Sequence, residues 1–343
     1  MTTTTPRFRS LDICSGAGGL ALGLEQAGFD PVLLLDNRPV ACETLRLNRP
    51  DWNVLTTDLA EFDPAEHEET YDVDLLSAGL PRVRATAAVA RPESMSEIRL
   101  LRAAVLLLHG VQPRALLLEN VPELVTKPAY TSIRAEIESE LDHLGYRHRW
   151  LVVDAADFGV PQQRRQGVLV AFKGALLDSF TPPSATVPRP VTVGEALAAS
   201  MAARGWPEAH AWADQADRPA PTLVGGSWDR GGADLGPTGS KKAWARMGVD
   251  GGTVADTVPD AGFRWDPSLG RPGMMPLTVE QAAILQGFPD DWLIAGKKTA
   301  RYRQVGHASP PPVGRALGLA VARVLAGSGS ASAAMTSVSG DYN

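Results

Sequence analysis

The chain of 343 residues holds only 2 cysteines, Cys14 and Cys42. So few thiols exclude a disulfide scaffold and fit a reducing compartment. With no CxxC pair and 6 scattered histidines, a structural zinc site is not expected, and no metal is assigned. No run of about 18 apolar residues occurs, so no membrane-spanning helix is expected. Met1–Arg9 is polar and lacks the apolar stretch of a secretory signal. A cytoplasmic location is the resulting expectation. Basic residues are in the minority: Lys+Arg 33 against Asp+Glu 39 gives a net charge of -6, which argues against an indiscriminate nucleic-acid binder.

What is present is ordinary globular material. Hydrophobic residues make up 44% and charged residues 21%, which excludes a wholly disordered chain. The length allows one large domain with a smaller lobe. Charge is unevenly placed. Residues 51–72 hold eight acids and no base, and residues 82–114 hold six arginines against two glutamates. Residues 293–326 hold Lys297, Lys298, Arg301, Arg303, Arg315 and Arg323 with no acid. The two basic regions form either one basic face or separate solvated helix faces.

Apolar patterning predicts strands over Arg7–Ile13, Val32–Leu35, Val54–Leu55, Val73–Ser77, Arg114–Leu118, Arg147–Val153 and Gly167–Phe172. Helices are predicted over Leu20–Ala27, Val40–Leu47, Ile98–His109 and Tyr130–Leu144. Such alternation predicts an α/β fold, a Rossmann-like, mostly parallel, doubly wound sheet. Residues 8–178 are assigned to this large domain. Residues 179–276, rich in Pro, Gly, Trp and Thr, read as a small loop-rich lobe. Helical patterns return at Leu277–Leu285 and Pro312–Leu325, so residues 277–326 are expected to rejoin the large domain. The tail 327–343 is expected to be disordered.

The first chemical signal is the loop Ser15-Gly16-Ala17-Gly18-Gly19 between a strand and a helix. Glycines there let backbone N–H groups approach a ligand at the helix N-terminus. Asp36 ends the second strand, where a carboxylate can accept ribose hydroxyls. Asp58 ends the third, where one can accept an adenine amine. The spacing departs from GxGxxG and suits a nucleoside without pyrophosphate, such as S-adenosylmethionine (AdoMet). Turn glycines and surface acids are the bland alternative.

Beyond that loop, the chain resembles the DNA (cytosine-5) methyltransferases. Leu11-Asp12-Ile13-Cys14-Ser15-Gly16-Ala17-Gly18-Gly19-Leu20 is similar to their AdoMet loop, and Glu119-Asn120-Val121 to their ENV motif. Gly159-Val160-Pro161-Gln162-Gln163-Arg164-Arg165 is similar to GVPQxRxR. Leu277–Pro289 resembles LTxxExxxLQGFP, and Gly306–Val313 resembles GNAxPPPV. The matches occur in the family order over roughly residues 8–325. The resemblance implies AdoMet held by Ser15, Gly16, Gly18, Asp36, Asp58 and Leu80. It also implies a flipped cytosine met by Glu119 at N3 and the exocyclic amine, and by Arg164 at O2. Double-stranded DNA is the implied partner, with an active methyltransferase or a restriction enzyme as a second one.

The departures matter most. The family's catalytic motif reads roughly GGxPCQxFS, whereas this chain has Ala78-Gly79-Leu80-Pro81-Arg82-Val83-Arg84-Ala85-Thr86. Arg82 stands where the nucleophilic cysteine belongs. Gln166 replaces an arginine, and His307 an asparagine. The family's thiolate adds to C6 so that C5 can attack the methyl group. A guanidinium stays protonated and cannot do so. By the loose analogy of a protease nucleophile, its loss costs about a millionfold. Four readings stay open. One is methyl transfer without a cysteine, directly to the exocyclic N4, with Glu119 and a backbone carbonyl near Leu80–Pro81 as acceptors. A second is a silent relative that binds DNA through Arg82 and Arg84 and regulates or partners an active enzyme. The others are ordinary C5 methylation and a degenerate protein in which Arg82 pairs with an acid. In the small lobe, Trp228, Arg230, Lys241 and Lys242 are the candidate DNA contacts, on flexible loops suited to base-edge readout.

Overall fold

The segment Ala115–Asn120 (ALLLEN) carries no exposed position, because both of its faces are covered. It is the fifth strand of a seven-stranded sheet. The computed structural model describes residues 7–83, 92–226, 228 and 231–336. The large domain runs β1 (Phe8–Ile13), α1 (Gly19–Gln26), β2 (Phe29–Asp36), α2 (Pro39–Asn48), β3 (Val54–Thr56), β4 (Leu75–Gly79), α3 (Pro92–Leu106), α4 (Leu108–Val111), β5 (Ala115–Asn120), α5 (Pro122–Thr126), α6 (Thr131–His143), β6 (Tyr146–Asp154), β7 (Gln162–Gln163) and β8 (Arg165–Lys173). The remainder runs α7 (Val193–Ala202), α8 (Ala209–Gln215), β9 (Ala220–Pro221), α9 (Thr238–Arg246), α10 (Val279–Leu285), α11 (Lys298–His307) and α12 (Pro311–Thr336).

The sheet order is β3-β2-β1-β4-β5-β8-β6. Pairings from β3 to β5 are parallel, whereas β8 runs antiparallel to both β5 and β6. The chain therefore forms the expected Rossmann-like α/β sheet, with one reversed strand. Because β1, β2, β4 and β5 run the same way, their carboxyl ends bring residues 14–18, Asp36, Leu80 and Glu119 to one edge.

One core lies on each face of the sheet. One packs Leu11, Ile13, Leu33, Leu76, Leu116 and Leu118 against helices α3 and α6, and the other packs Phe29, Leu75, Leu117 and Val170 against α1 and α12. Helix α12 comes close to α1 at glycines. A Cβ on Gly23 would stand 2.3 Å from the Pro311 carbonyl oxygen.

The small lobe has more regular structure than its composition predicts. Helix α7 starts with a reciprocal cap, in which the Thr192 hydroxyl accepts the Glu195 N–H and Glu195 accepts the Thr192 N–H. Trp206, Trp212, Trp244 and Met247 form its centre, and α10 and α11 join the same core through Leu285, Tyr302 and Val305. The return to the large domain is thus made by α12, while residues 277–308 belong to both sides. Helix α12 runs to Thr336, into the segment from Gly327 whose composition suggests disorder. Adding residues to a helix already nucleated is cheap, and the segment contains several alanines. Among the described residues no helix is long and apolar enough to cross a membrane. Cys14 and Cys42 are both free thiols.

Candidate cofactor and base site

The loop after β1 turns through left-handed backbone at Cys14, Gly16 and Gly18, with φ of 53°, 54° and 81°. A Cβ at Gly16 would meet nothing within 4 Å, so the loop backbone is bare there. Gly19 is required for the opposite reason, since its Cβ would stand 2.0 Å from the Ser309 carbonyl oxygen. The Gly16 N–H donates to Asp36 Oδ2 at 2.9 Å, and the Arg38 N–H donates to Oδ1 at 2.8 Å. These bonds fix the carboxylate while leaving lone pairs on both oxygens. Burial raises the Asp36 pKa, against the lowering effect of those N–H groups. Asp58 accepts from the Ala60 N–H at 2.9 Å and from Asn37 Nδ2 at 3.3 Å.

Beneath the loop, burial pushes the Asp12 pKa up to about 6, against hydrogen bonds from Ser77 and Ser15. The Cys14 thiol is raised first by burial and then by Asp36, Asp12 and Asp58. Three acids therefore surround this loop. That acidic lining would suit a ribose, an adenine and a cationic sulfonium. Ser15 anchors the turn by donating from Oγ to the Asp12 carbonyl at 3.0 Å. The Trp292 indole N–H donates to the Ala17 carbonyl at 3.0 Å, a support that sequence reading missed.

Across the sheet edge, Leu80 is buried, Pro81 exposed and Arg82 half-buried. The Asn120 side chain holds this segment. Its Nδ2 donates to the Pro81 carbonyl at 3.2 Å, and its Oδ1 accepts the Val83 N–H at 3.1 Å. Glu119 is buried, and its Oε1 has no hydrogen-bond partner among the described residues. Arg164 is fully buried. Nη1 donates to the Leu223 carbonyl at 2.9 Å and the Gly306 carbonyl at 3.3 Å, Nη2 to the Ala308 carbonyl at 2.9 Å, and Nε has no partner. Arg164 therefore ties β8 to the small lobe and to the end of α11, beyond the base contact implied by resemblance. Burial and then Arg82 lower its pKa, while Glu119 opposes this. Arg82, Arg164 and Glu119 thus share one electrostatic neighbourhood. Arg82 makes no hydrogen bond or ion pair among the described residues, so it is not neutralised by a paired acid there.

The departure at His307 acquires a context. Its Nε2 lies 2.9 Å from the Gly226 carbonyl, and its ring stacks on Trp228 with centroids 5.9 Å apart and planes at 18°. The ring edge reaches solvent, yet crowding around it lowers its pKa to about 4, helped by Arg82, Arg164 and Arg38. On Trp228, Arg38 Cζ stands 4.1 Å from the ring centroid. Trp228 is therefore packed against both side chains. Lys241 is ion-paired with Asp234 at 2.9 Å, while Lys242 is exposed. Arg84 and Arg230 lie outside the described residues. Much of the basic charge is matched locally, by Arg102–Glu136, Arg114–Asp74, Lys298–Asp256 and Arg301–Glu280. No single bare basic face results from those residues. Nothing in the sequence singled out Arg38, and Asn120 was visible only as part of a motif.

The sequence pattern of the C-5 cytosine-specific DNA methylases matches residues 8–219 and 237–323. The chain is 43% identical over 314 residues to the Type II methyltransferase M.NaeI of Lentzea aerocolonigenes, covering 90% of this chain and 73% of that protein. It is 39% identical over 327 residues to the Type II methyltransferase M.NgoMIV of Neisseria gonorrhoeae, covering 93% and 98%. Among solved structures, the Entamoeba histolytica methyltransferase EhMeth superposes with a TM-score of 0.63 at 13% identity, covering 94% of this chain and 99% of that one. The S. pombe Dnmt2 methyltransferase does so with a TM-score of 0.61 at 17% identity, covering 94% and 99%. These two support the fold alone. With a sheet edge that gathers the loop, Asp36, Glu119 and Arg164, and a pattern spanning nearly the whole chain, the protein belongs to the C-5 cytosine-specific DNA methylase family.

Proposed function

We propose that this chain binds AdoMet and duplex DNA with a flipped cytosine, and is silent for cysteine-dependent C5 methylation. AdoMet is the methyl donor of its family. One observation carries the reading: the position after Pro81 is a guanidinium, and both thiols lie elsewhere. Cys14 belongs to the cofactor loop, and the Cys42 thiol lies between the carbonyls of Asp36 and Leu55. Neither can attack a base held at Glu119 and Arg164. A buried acceptor and a buried donor without partners among the described residues, Glu119 Oε1 and Arg164 Nε, support retention of a polar base edge. Arg82 would then take a phosphate or the orphan base's edge. In a restriction-modification setting such as its Type II relatives suggest, the chain would regulate or partner an active enzyme.

Direct transfer to N4 is the second reading, favoured by the unpartnered Glu119 Oε1. The field opposes it. A methyl cation moving to a neutral amine makes that nitrogen positive, beside Arg82 and Arg164. Incubation with labelled AdoMet and varied duplexes, followed by nucleoside mass spectrometry, separates the readings. The proposal expects AdoMet binding and DNA binding with no methylated base; N4-methylcytosine would establish the second reading. Arg82→Ala is expected to weaken DNA binding and reduce the log–log salt slope by about 1. An unchanged slope rules out the phosphate role.

A further inference from the structure

The loop that carries Trp228 is fastened to three separate places. Arg303 Nη1 donates to the Trp228 carbonyl at 2.7 Å, and Nη2 donates to the Gly231 carbonyl at 2.8 Å. At its start, the Gly226 carbonyl meets His307. The indole itself meets the Arg38 guanidinium over its ring and also stacks with the His307 ring. Arg303 also lies 6.0 Å from the same ring centroid. These partners come from separate parts of the chain. Arg38 stands two residues after Asp36, the last residue of β2, and its backbone N–H holds Asp36 Oδ1. His307 ends α11 between the Gly306 and Ala308 carbonyls, both of which accept from Arg164.

We infer that Trp228 is a positioning residue that couples the cofactor pocket to the small lobe, so that AdoMet and DNA each bind more tightly when the other is present. The physical path is short. A ligand drawing on Asp36 fixes the backbone of Arg38 and restricts where its guanidinium can lie. A cation over an indole face is held only at close range, so the position of Arg38 biases that of Trp228 and its loop. The small lobe then presents a pre-ordered surface to DNA. By linkage, DNA must favour the cofactor by the same factor. This also gives His307 a purpose. An imidazole offers the flat face that stacks on Trp228, which the asparagine expected at this position lacks.

The inference rests on the AdoMet and DNA binding proposed above, and its test can fail separately. The measurement is the dissociation constant for one duplex with and without saturating AdoMet, in wild type, Trp228→Ala, Arg38→Ala and Trp228→Phe. The wild-type ratio is expected to be about fivefold or more, the usual lower range of coupling between sites. In Trp228→Ala and Arg38→Ala it should fall to within about twofold of unity, while Trp228→Phe keeps an aromatic face and most of the ratio. A mere structural or direct DNA-contact role would weaken DNA binding equally with and without AdoMet, leaving the ratio intact, and that result overturns the inference. So does a wild-type ratio of one. If the wild type fails to bind either ligand, the proposed function falls and takes this inference with it.

Discussion

Asn120 grips Pro81 and its neighbour with both ends of one amide: the NH2 reaches the Pro81 carbonyl and the oxygen receives the Val83 N–H. The same oxygen accepts the Val121 N–H at 2.9 Å. The backbone around Arg82 is thus set by the strand end that supplies Glu119. Asn120→Ala strips partners from three backbone groups, of which the Val83 N–H is buried, and an unsatisfied buried group costs about 1–3 kcal/mol. A destabilisation of about 2–5 kcal/mol is expected in urea unfolding. A change below about 0.5 kcal/mol would mean the segment is held by other contacts.

Arg82→Cys restores the thiol on a backbone already clamped beside Glu119 and Arg164. It is expected to form a covalent complex with a duplex carrying 5-fluorocytosine in the presence of AdoMet, seen as a gel shift resistant to denaturant. Wild type should give none. If the variant binds DNA and AdoMet yet never traps the base, the pocket does not place a cytosine over this residue.

Arg164→Met tests the tie between the lobes. Removing the guanidinium takes this donor from the Leu223 and Gly306 carbonyls, while the Ala308 carbonyl keeps Gln286 Nε2. Each buried carbonyl left without a partner costs about 1–3 kcal/mol. Unfolding of the variant in urea, followed by tryptophan fluorescence, should show it. A stability equal to wild type would leave Arg164 a ligand contact only.

Asp12 sets a pH dependence. Its folded pKa of about 6 lies above the ordinary carboxyl value, because burial disfavours the charge. The folded protein therefore binds more protons than the unfolded chain between about pH 4 and pH 6. Across that window this carboxyl makes stability fall as pH rises, and its penalty is fully present above pH 6. Asp12→Asn should gain stability relative to wild type as pH rises from 4 to 7. A difference between the two that does not vary with pH would show that Asp12 is not the source.

The sheet was legible because its strands are buried on both faces. Runs such as ALLLEN leave no other arrangement, and loops with Gly16 and Gly18 announce a left-handed turn. The small lobe was less legible. Helices α7, α8 and α9 are short, and their tryptophans pack from several directions, so no single period marks the buried face. Lys241 illustrates the same limit, since its pairing with Asp234 depends on how the chain folds back.

By itself the sequence determined the alternation of strands and helices in the large domain, the motifs at the sheet edge and the absence of a thiol after Pro81. These follow from local residue chemistry and from periodicity, which act over a few positions. Only the tertiary structure decided that Asn120 clamps Pro81, that Arg164 spends its guanidinium on carbonyls of two other segments, and that Trp228 meets both Arg38 and His307. Those contacts join residues far apart in the chain. Packing in three dimensions selects such partners, and no spacing along the sequence encodes them.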